Sequence, residues 1–404
     1  MHKKTTNVRR SNKFFLFLMY NLVRFYFFIK GVRVRITYKC PKKLEGPCIV
    51  LCNHGSFVDF FFAGKMLMKS DFNFVAARLY FYHNILGKML RWLGCFPKSM
   101  FATDMESTKN CMRVIKEGRV LAMMPEARLS TVGEFEDIQE STYSFLKKLK
   151  VPVYTIHMKG DYLANPKWGS GFRRGSIVEA TMEQLFTPEQ LGEMSVEDIA
   201  KAVEERLYYD EAAWLKTRPQ YHYRDKKLAE GLENILAVCP KCGRHHTIVT
   251  KGCTISCEHC GLLTKLSDRY EFDTEFRFEG ISQWYHWQKD EMHRDILENP
   301  AFCLESKVEL RHGDNTGKAC TRHSGYGVCR LDRTGLTYTG TQDGEEVSIQ
   351  FPLKQIYRLL FGAGVNFEVY QGAEIFFFVP EEKRSAVDWY MASSLLYDLE
   401  FKKN

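Results

Sequence analysis

No acidic residue precedes Glu45 in this chain of 404 residues, while Lys3, Lys4, Arg9, Arg10, Lys13, Arg24, Lys30, Arg33, Arg35, Lys39, Lys42 and Lys43 all do. A segment so one-sided attracts phosphate, whether of lipid headgroups or of nucleic acid. An uninterrupted apolar run long enough to cross a bilayer is also missing. The best stretch, FFLFLMYNLVRFYFFIK (14–30), is short and carries Arg24 in its middle, which argues against a transmembrane helix. It lacks a small-residue cleavage site, which argues against a secretory signal. No repeat and no low-complexity tract is visible, so solenoid and fibrous architectures drop out. With 45% hydrophobic and 26% charged residues the chain reads as globular, long enough for two or three domains.

On a helix, Lys13, Asn21 and Arg24 share a narrow face of 14–30, and aromatic and aliphatic side chains fill the rest. That pattern suits a helix lying in the membrane interface, with its basic residues reaching the headgroups of anionic lipids; the bland alternative is a packing element of a soluble core. The expected location is therefore peripheral or monotopic, on the cytoplasmic side of the membrane. Thirteen cysteines without a secretory signal fit a reducing compartment.

From about Pro47, strand-like runs (48–52, 72–77, 120–125, 151–158, 176–182) alternate with helical ones (57–69, 82–93, 106–117, 137–149). Alternation of this kind predicts an α/β domain with a central sheet flanked by helices. Thr187-Pro-Glu-Gln190 and Ser195-Val-Glu-Asp198 read as capping boxes of two further helices. The organisation expected is a basic, hydrophobic interface segment at 1–46, an α/β domain at 47–236, a small cysteine module at 237–266, and a β-rich domain with a terminal helix at 267–404.

The stretch CNHGSFVDF (52–60) raises the question of chemistry. Ser56 and Asp59 have capping-box spacing, so a helix start that happens to carry a histidine is one reading. The other is a catalytic pair. A histidine in the loop leaving a strand, followed by a carboxylate in the first helical turn, can place imidazole and carboxylate in contact. The carboxylate then fixes the tautomer and leaves the outer nitrogen as a general base.

Asn53-His54-Gly55-Ser56-Phe57-Val58-Asp59 resembles the NHxxxxD block of the PlsC-type glycerolipid acyltransferases. GCFPKS (94–99), MMPEARLS (123–130) and VPVYTI (151–156) resemble that family's later blocks, in the family's order, over roughly residues 15–235. The resemblance implies that His54 and Asp59 are catalytic, with no metal in the transfer site. The acyl donor would be acyl-CoA or acyl carrier protein. The acceptor would be a lysophospholipid, 1-acylglycerol-3-phosphate first, or else another lysolipid or a glycolipid. Lys98 and Arg128 are the candidates for the acceptor's phosphate, and Glu126 for a glycerol hydroxyl. The alternatives are a solvated Lys98 and a Glu126–Arg128 pair that braces the loop. The third block departs from the family's pattern: Ala127 stands where glycine is usual, and Arg128 comes one place early.

Cys239-Pro-Lys-Cys242-Gly and Cys257-Glu-His-Cys260-Gly form two matching knuckles with fourteen residues between them. Four thiolates at this spacing suit a closed, structural zinc site, a zinc ribbon. A ribbon also suggests a competing class, the nucleic-acid binder, but Lys241, Arg244 and Lys251 against Glu258 make this one only weakly basic. A third class is a non-catalytic, membrane-associated binding protein. Residues 322–401 faintly resemble a pleckstrin-homology or GRAM-like module.

Overall fold

The computed structural model describes residues 8–402; Lys3 and Lys4 of the basic arm lie outside them. The chain divides into two compact units. The first comprises 1–98, 104–167 and 171–224, and the second comprises 99–103, 168–170 and 225–404. The cysteine module therefore belongs to the second unit.

The first unit is built on seven strands: β1 (Arg33–Tyr38), β2 (Cys48–Cys52), β3 (Phe72–Ala77), β4 (Cys95–Lys98), β5 (Val120–Met123), β6 (Val153–Lys159) and β7 (Ile177–Phe186), in the order β1-β7-β6-β2-β5-β3-β4. The block β6-β2-β5-β3-β4 is parallel, and β7 joins it antiparallel through β6. CIVLC of β2 has every residue buried, as a strand with parallel neighbours on both sides requires. β1 was hidden within the basic segment. Its RVRITY alternates exposed and half-buried residues on the sheet's edge, so it reads as polar although it pairs with β7 in full register.

The helices are α1 (Lys13–Lys30), α2 (Asp59–Leu67), α3 (Asn84–Trp92), α4 (Met105–Lys116), α5 (Glu140–Leu149), α6 (Asp161–Ala164), α7 (Pro188–Glu193), α8 (Val196–Leu207) and α9 (Glu211–Lys216). Both predicted capping boxes form, at Thr187/Gln190 and Ser195/Asp198. Asn12 caps the start of α1, and Gly31 ends it in the left-handed conformation. α1 buries Leu16 and Phe27, the latter against Phe62 and Phe172, and leaves Phe14, Phe17, Leu18, Leu22, Phe25, Phe28 and Ile29 exposed. Among the described residues no helix is long and apolar enough to cross a membrane.

The second unit holds a three-stranded antiparallel sheet of β8 (Ile248–Lys251), β9 (Thr254–Cys257) and β10 (Gly261–Lys265). A helix, α10 (Ile281–Glu298), follows it. Then come β11 (Leu304–Gly313), β12 (Thr321–Asp332), β13 (Gly335–Gln342), β14 (Glu345–Pro352), β15 (Leu360–Gly362), β16 (Asn366–Gln371) and β17 (Glu374–Pro380), paired antiparallel as β14-β13-β12-β11-β17-β16-β15. The expected terminal helix is α11 (Ala386–Phe401), and its Trp389 stacks on Phe367 at 4.3 Å. α10 was not expected; its anchor is Trp284, fully buried, whose indole N–H donates to the Val238 carbonyl at 2.9 Å.

Candidate active site

Parallel pairing brings the ends of β2, β5, β3, β4 and β6 to one edge of the sheet. The loops leaving carboxyl ends are where such folds place chemistry. His54 follows β2, the 124–130 segment follows β5, Lys98 ends β4, and Asp161 follows β6. Asn53 stitches β2 to β6: its side-chain amide donates to the Met158 carbonyl at 2.9 Å and accepts from the Met158 amide at 2.7 Å. The buried asparagine of the motif therefore fixes the height of His54 on the sheet.

His54 Nδ1 lies 3.1 Å from Asp59 Oδ2, and the same oxygen accepts from the Ser56 amide at 2.8 Å. Asp59 is fully buried, whereas the His54 side chain is about one-fifth exposed. The cap reading of this turn holds only in part. Val58, not Ser56, is the N-cap of α2, and no side chain caps it. The Ser56 hydroxyl instead donates to the Asn165 carbonyl. Burial pushes His54 down to about 3, with the charge of Lys167 acting in the same direction. Burial also pushes Asp59 up to about 8, opposed by the backbone amides of Ser56 and Gly55 and by the side chain of Asp161. Both groups are thus driven toward neutrality by the dry site.

Glu126 differs from its expected role on a glycerol hydroxyl. It is fully buried, and both oxygens are used within the protein: Oε1 accepts from the His54 amide at 2.9 Å, and Oε2 accepts from the Glu136 amide and the Tyr209 hydroxyl. The Ser130 amide donates to the His54 carbonyl at 3.0 Å. The PEARLS segment therefore grips the histidine backbone from both sides. Arg128 does not brace Glu126 either; its Nε and Nη2 donate to Glu136 Oε2 at 3.0 and 2.7 Å, and it is largely buried. Ala127 takes the left-handed conformation, φ 57°, that glycine would supply at this position. Lys98 is half-buried at the end of β4.

Sequence reasoning missed Asp161, Tyr209, Glu211 and Lys167. No local pattern marks them, because each meets the site only through sheet pairing and loop packing.

Residues 31–159 match the acyltransferase family. The matching model is described as "Acyltransferase", and it covers both the His54–Asp59 pair and the PEARLS segment. The chain is 22% identical over 129 residues to the chloroplastic 1-acyl-sn-glycerol-3-phosphate acyltransferase BAT2 of Brassica napus, a match covering 31% of this chain and 37% of that relative. It thus spans little more than a third of that relative's length. Among solved structures, the 1-acyl-sn-glycerophosphate acyltransferase PlsC of Thermotoga maritima is 20% identical, covering 48% of this chain and 76% of that one with a TM-score of 0.38.

In the second unit, the ligand atoms of Cys239, Cys242, Cys257 and Cys260 all lie within 4.8 Å of one another, and the Cys242 and Cys257 sulfurs are 3.9 Å apart. Sulfurs held at ~2.3 Å around a tetrahedral zinc are separated by roughly 3.8 Å, so the residues fit that ion. Gly243 and Gly261, which follow the knuckles, both have positive φ (70° and 80°). Beside this cluster His246 Nε2 meets Asp388 Oδ2 at 2.8 Å, which ties the module to α11.

Proposed function

We propose that the first unit transfers an acyl group from a thioester, acyl-CoA or acyl carrier protein, to the free hydroxyl of a lysophospholipid, with 1-acylglycerol-3-phosphate the first candidate. The observation that carries this is the 3.1 Å contact between His54 Nδ1 and Asp59 Oδ2, inside the segment that matches the acyltransferase family. With Nδ1 engaged, Nε2 is left to take the hydroxyl proton. The acceptor oxygen then attacks the thioester carbonyl. A C–O bond forms, the C–S bond breaks, and the proton on Nε2 passes to the leaving sulfur, giving an ester and a thiol. Lys98 is the better candidate for the acceptor's phosphate, because the Arg128 fork is spent on Glu136. Lys167, whose charge acts on His54, is a second cation for that role.

The apolar side chains exposed along α1, together with Phe57 inside the motif, support peripheral attachment to a membrane. The four thiols are read as a structural zinc site, Cys239, Cys242, Cys257 and Cys260, with no open position for substrate. The sheet-then-helix arrangement of the second unit is compatible with a pleckstrin-homology or GRAM-like role at lipid surfaces. The test is direct: purified protein, a radiolabelled acyl thioester and a panel of lysophospholipids. Labelled diacyl product is expected, most of it from lysophosphatidate. No transfer to any acceptor would overturn the reading in favour of a lipid-binding protein.

A further inference from the structure

A second carboxyl stands behind the His54–Asp59 pair, and the acyl transfer described above makes no use of it. Asp161 opens α6 just after β6, is fully buried, and is carried to the site by the Asn53–Met158 stitch. It lies against the turn at Gly55, where even a single methyl group would collide with Asp161 Oδ2. Its carboxyl and that of Asp59 both face this turn, and each acts on the other's proton affinity. Among the described residues, no N–H or hydroxyl with hydrogen-bond geometry meets Asp59 Oδ1 or either Asp161 oxygen.

Two acceptor-only groups can hydrogen-bond each other only through a proton. Two carboxylates in contact within a dry site also cannot both be ionised. One proton is therefore shared, and the surroundings decide which acid holds it. Asp59 has the Ser56 amide and the His54 ring as partners that favour its anion. Asp161 has its own amide and that of Gly55 in favour of its anion, but these are outweighed by burial, by the charge of Asp59 and by another buried acid at its back, Glu211, whose oxygens both accept from the Gly160 amide at 2.8 and 2.7 Å. Tyr209 also faces it, while Lys159 and Lys167 act on Glu211 and His54 respectively. The proton belongs on Asp161.

The consequence is tautomeric. Were Asp59 the acid, its O–H would donate to Nδ1, the ring proton would sit on Nε2, and no base would face the acceptor. We propose that Asp161, held as the neutral acid, donates to Asp59 and so keeps the His54 proton on Nδ1 and Nε2 free. Asp161 is then a positioning residue. Burial pushes Asp161 well above the carboxylate range, and its hydrogen bond draws Asp59 down, against the burial that raises it to about 8.

The kinetic part of the test rests on the acyltransferase reading, whereas the spectroscopic part does not. Asp161→Ala removes the donor, so Asp59 keeps its proton to higher pH. The acid limb of the pH profile should move up by about one unit, the worth of one charge-assisted hydrogen bond. Turnover at neutral pH should fall roughly 10- to 100-fold with acceptor KM almost unchanged, since the loss is of the active protonation state and not of binding. Asp161→Asn supplies an amide N–H in place of the O–H and should stay within about threefold of wild type with an unmoved limb. Nitrogen-15 spectra of His54, recorded without substrate, should show Nδ1–H in the wild type and in Asp161→Asn, and Nε2–H in Asp161→Ala. Should Asp161→Ala fail to fold, retention or loss of turnover and tautomer in Asp161→Asn decides. A folded Asp161→Asn as crippled as the alanine variant, or an alanine variant with wild-type profile and tautomer, overturns the proposal. If no acyl transfer is found at all, the reaction fails, and the tautomer spectra still judge Asp161.

Discussion

In the first unit, among the described residues, the acids Asp59, Glu126, Asp161 and Glu211 are buried without an ion pair to any Lys or Arg; in the second, four thiols converge on one point. The acids are made tolerable by backbone amides and by protons: Glu126 and Glu211 accept from amides, and Asp59 and Asp161, on the proposal above, share a proton. The thiols fit a metal. The first solution produces perturbed titration beside a histidine, which is what proton transfer needs. The second, with the proposed zinc bound, would be a closed site of four sulfurs that holds a small sheet together and leaves no position for water. On the proposed reading, a similar density of ionisable groups serves chemistry in one region and folding in the other.

The sharpest way to break this contrast is to remove one member of each cluster. His54→Ala should lower turnover by about 100- to 10,000-fold and leave thermal unfolding nearly where it was. Cys257→Ser should do the reverse. Residues 239–266 should become sensitive to protease, and close to one equivalent of zinc should be lost, while the first unit keeps its unfolding transition. Metal analysis and limited proteolysis read the second variant, and the acyl-transfer assay reads the first. Zinc absent from reduced wild-type protein would end the comparison.

A smaller effect separates Lys98 from Arg128, the two cations the sequence offered for phosphate. Lys98→Ala should raise acceptor KM about tenfold with kcat kept, the signature of lost uniform binding. Arg128→Ala should instead cost on the order of 3 kcal/mol of stability, because Glu136 loses its buried partner. Urea melts and acceptor titrations of both variants distinguish a ligand from a brace.

The acids also set a pH dependence. Glu126 carries a folded pKa pushed up to about 8, chiefly by burial, from an ordinary value of 4.5. Protonation therefore favours the folded state. Its contribution is fully present below about pH 4 and is lost as pH rises through about 8. The urea midpoint of the first unit should accordingly decline between those limits, and Glu126→Gln should flatten the slope. An unchanged slope in that variant would mean that the amides around Glu126 hold it as a carboxylate at all pH values.

How far the sequence disclosed this follows the range of each interaction. The His54–Asp59 pair, the two capping boxes and the cysteine knuckles were legible because their partners lie within a few residues or repeat a short pattern. The alternation of strands and helices located the buried strands, since fully apolar runs such as CIVLC have few other uses. β1 was not legible, because an edge strand with Arg33 and Arg35 looks like the rest of a basic arm. The surroundings of Glu126 were not legible for a related reason. A carboxylate in a family motif suggests a ligand, and nothing local shows that the His54 amide, the Glu136 amide and the Tyr209 hydroxyl already occupy it. Asp161 and Glu211 are separated from His54 by more than a hundred residues; sheet order brings the first to the site, and packing against the Gly133 and Gly160 loops brings the second.

The smallest effect concerns Ala127. It stands in the third block where glycine is usual, and its φ of 57° is the left-handed value that glycine would adopt. An L-residue there costs roughly 1–2 kcal/mol against its Cβ. Glycine would remove that cost but would also loosen the unfolded chain by about 0.4–1 kcal/mol. The net gain for Ala127→Gly should therefore be small and positive, up to about 1 kcal/mol. Because Glu126 and Ser130 hold the His54 backbone from either side of this residue, turnover should stay within about twofold of wild type. A lower unfolding temperature for Ala127→Gly would mean that the alanine methyl contributes packing worth more than the strain. The shape of the PEARLS segment would then come from contacts around Ala127 and not from the grip on His54.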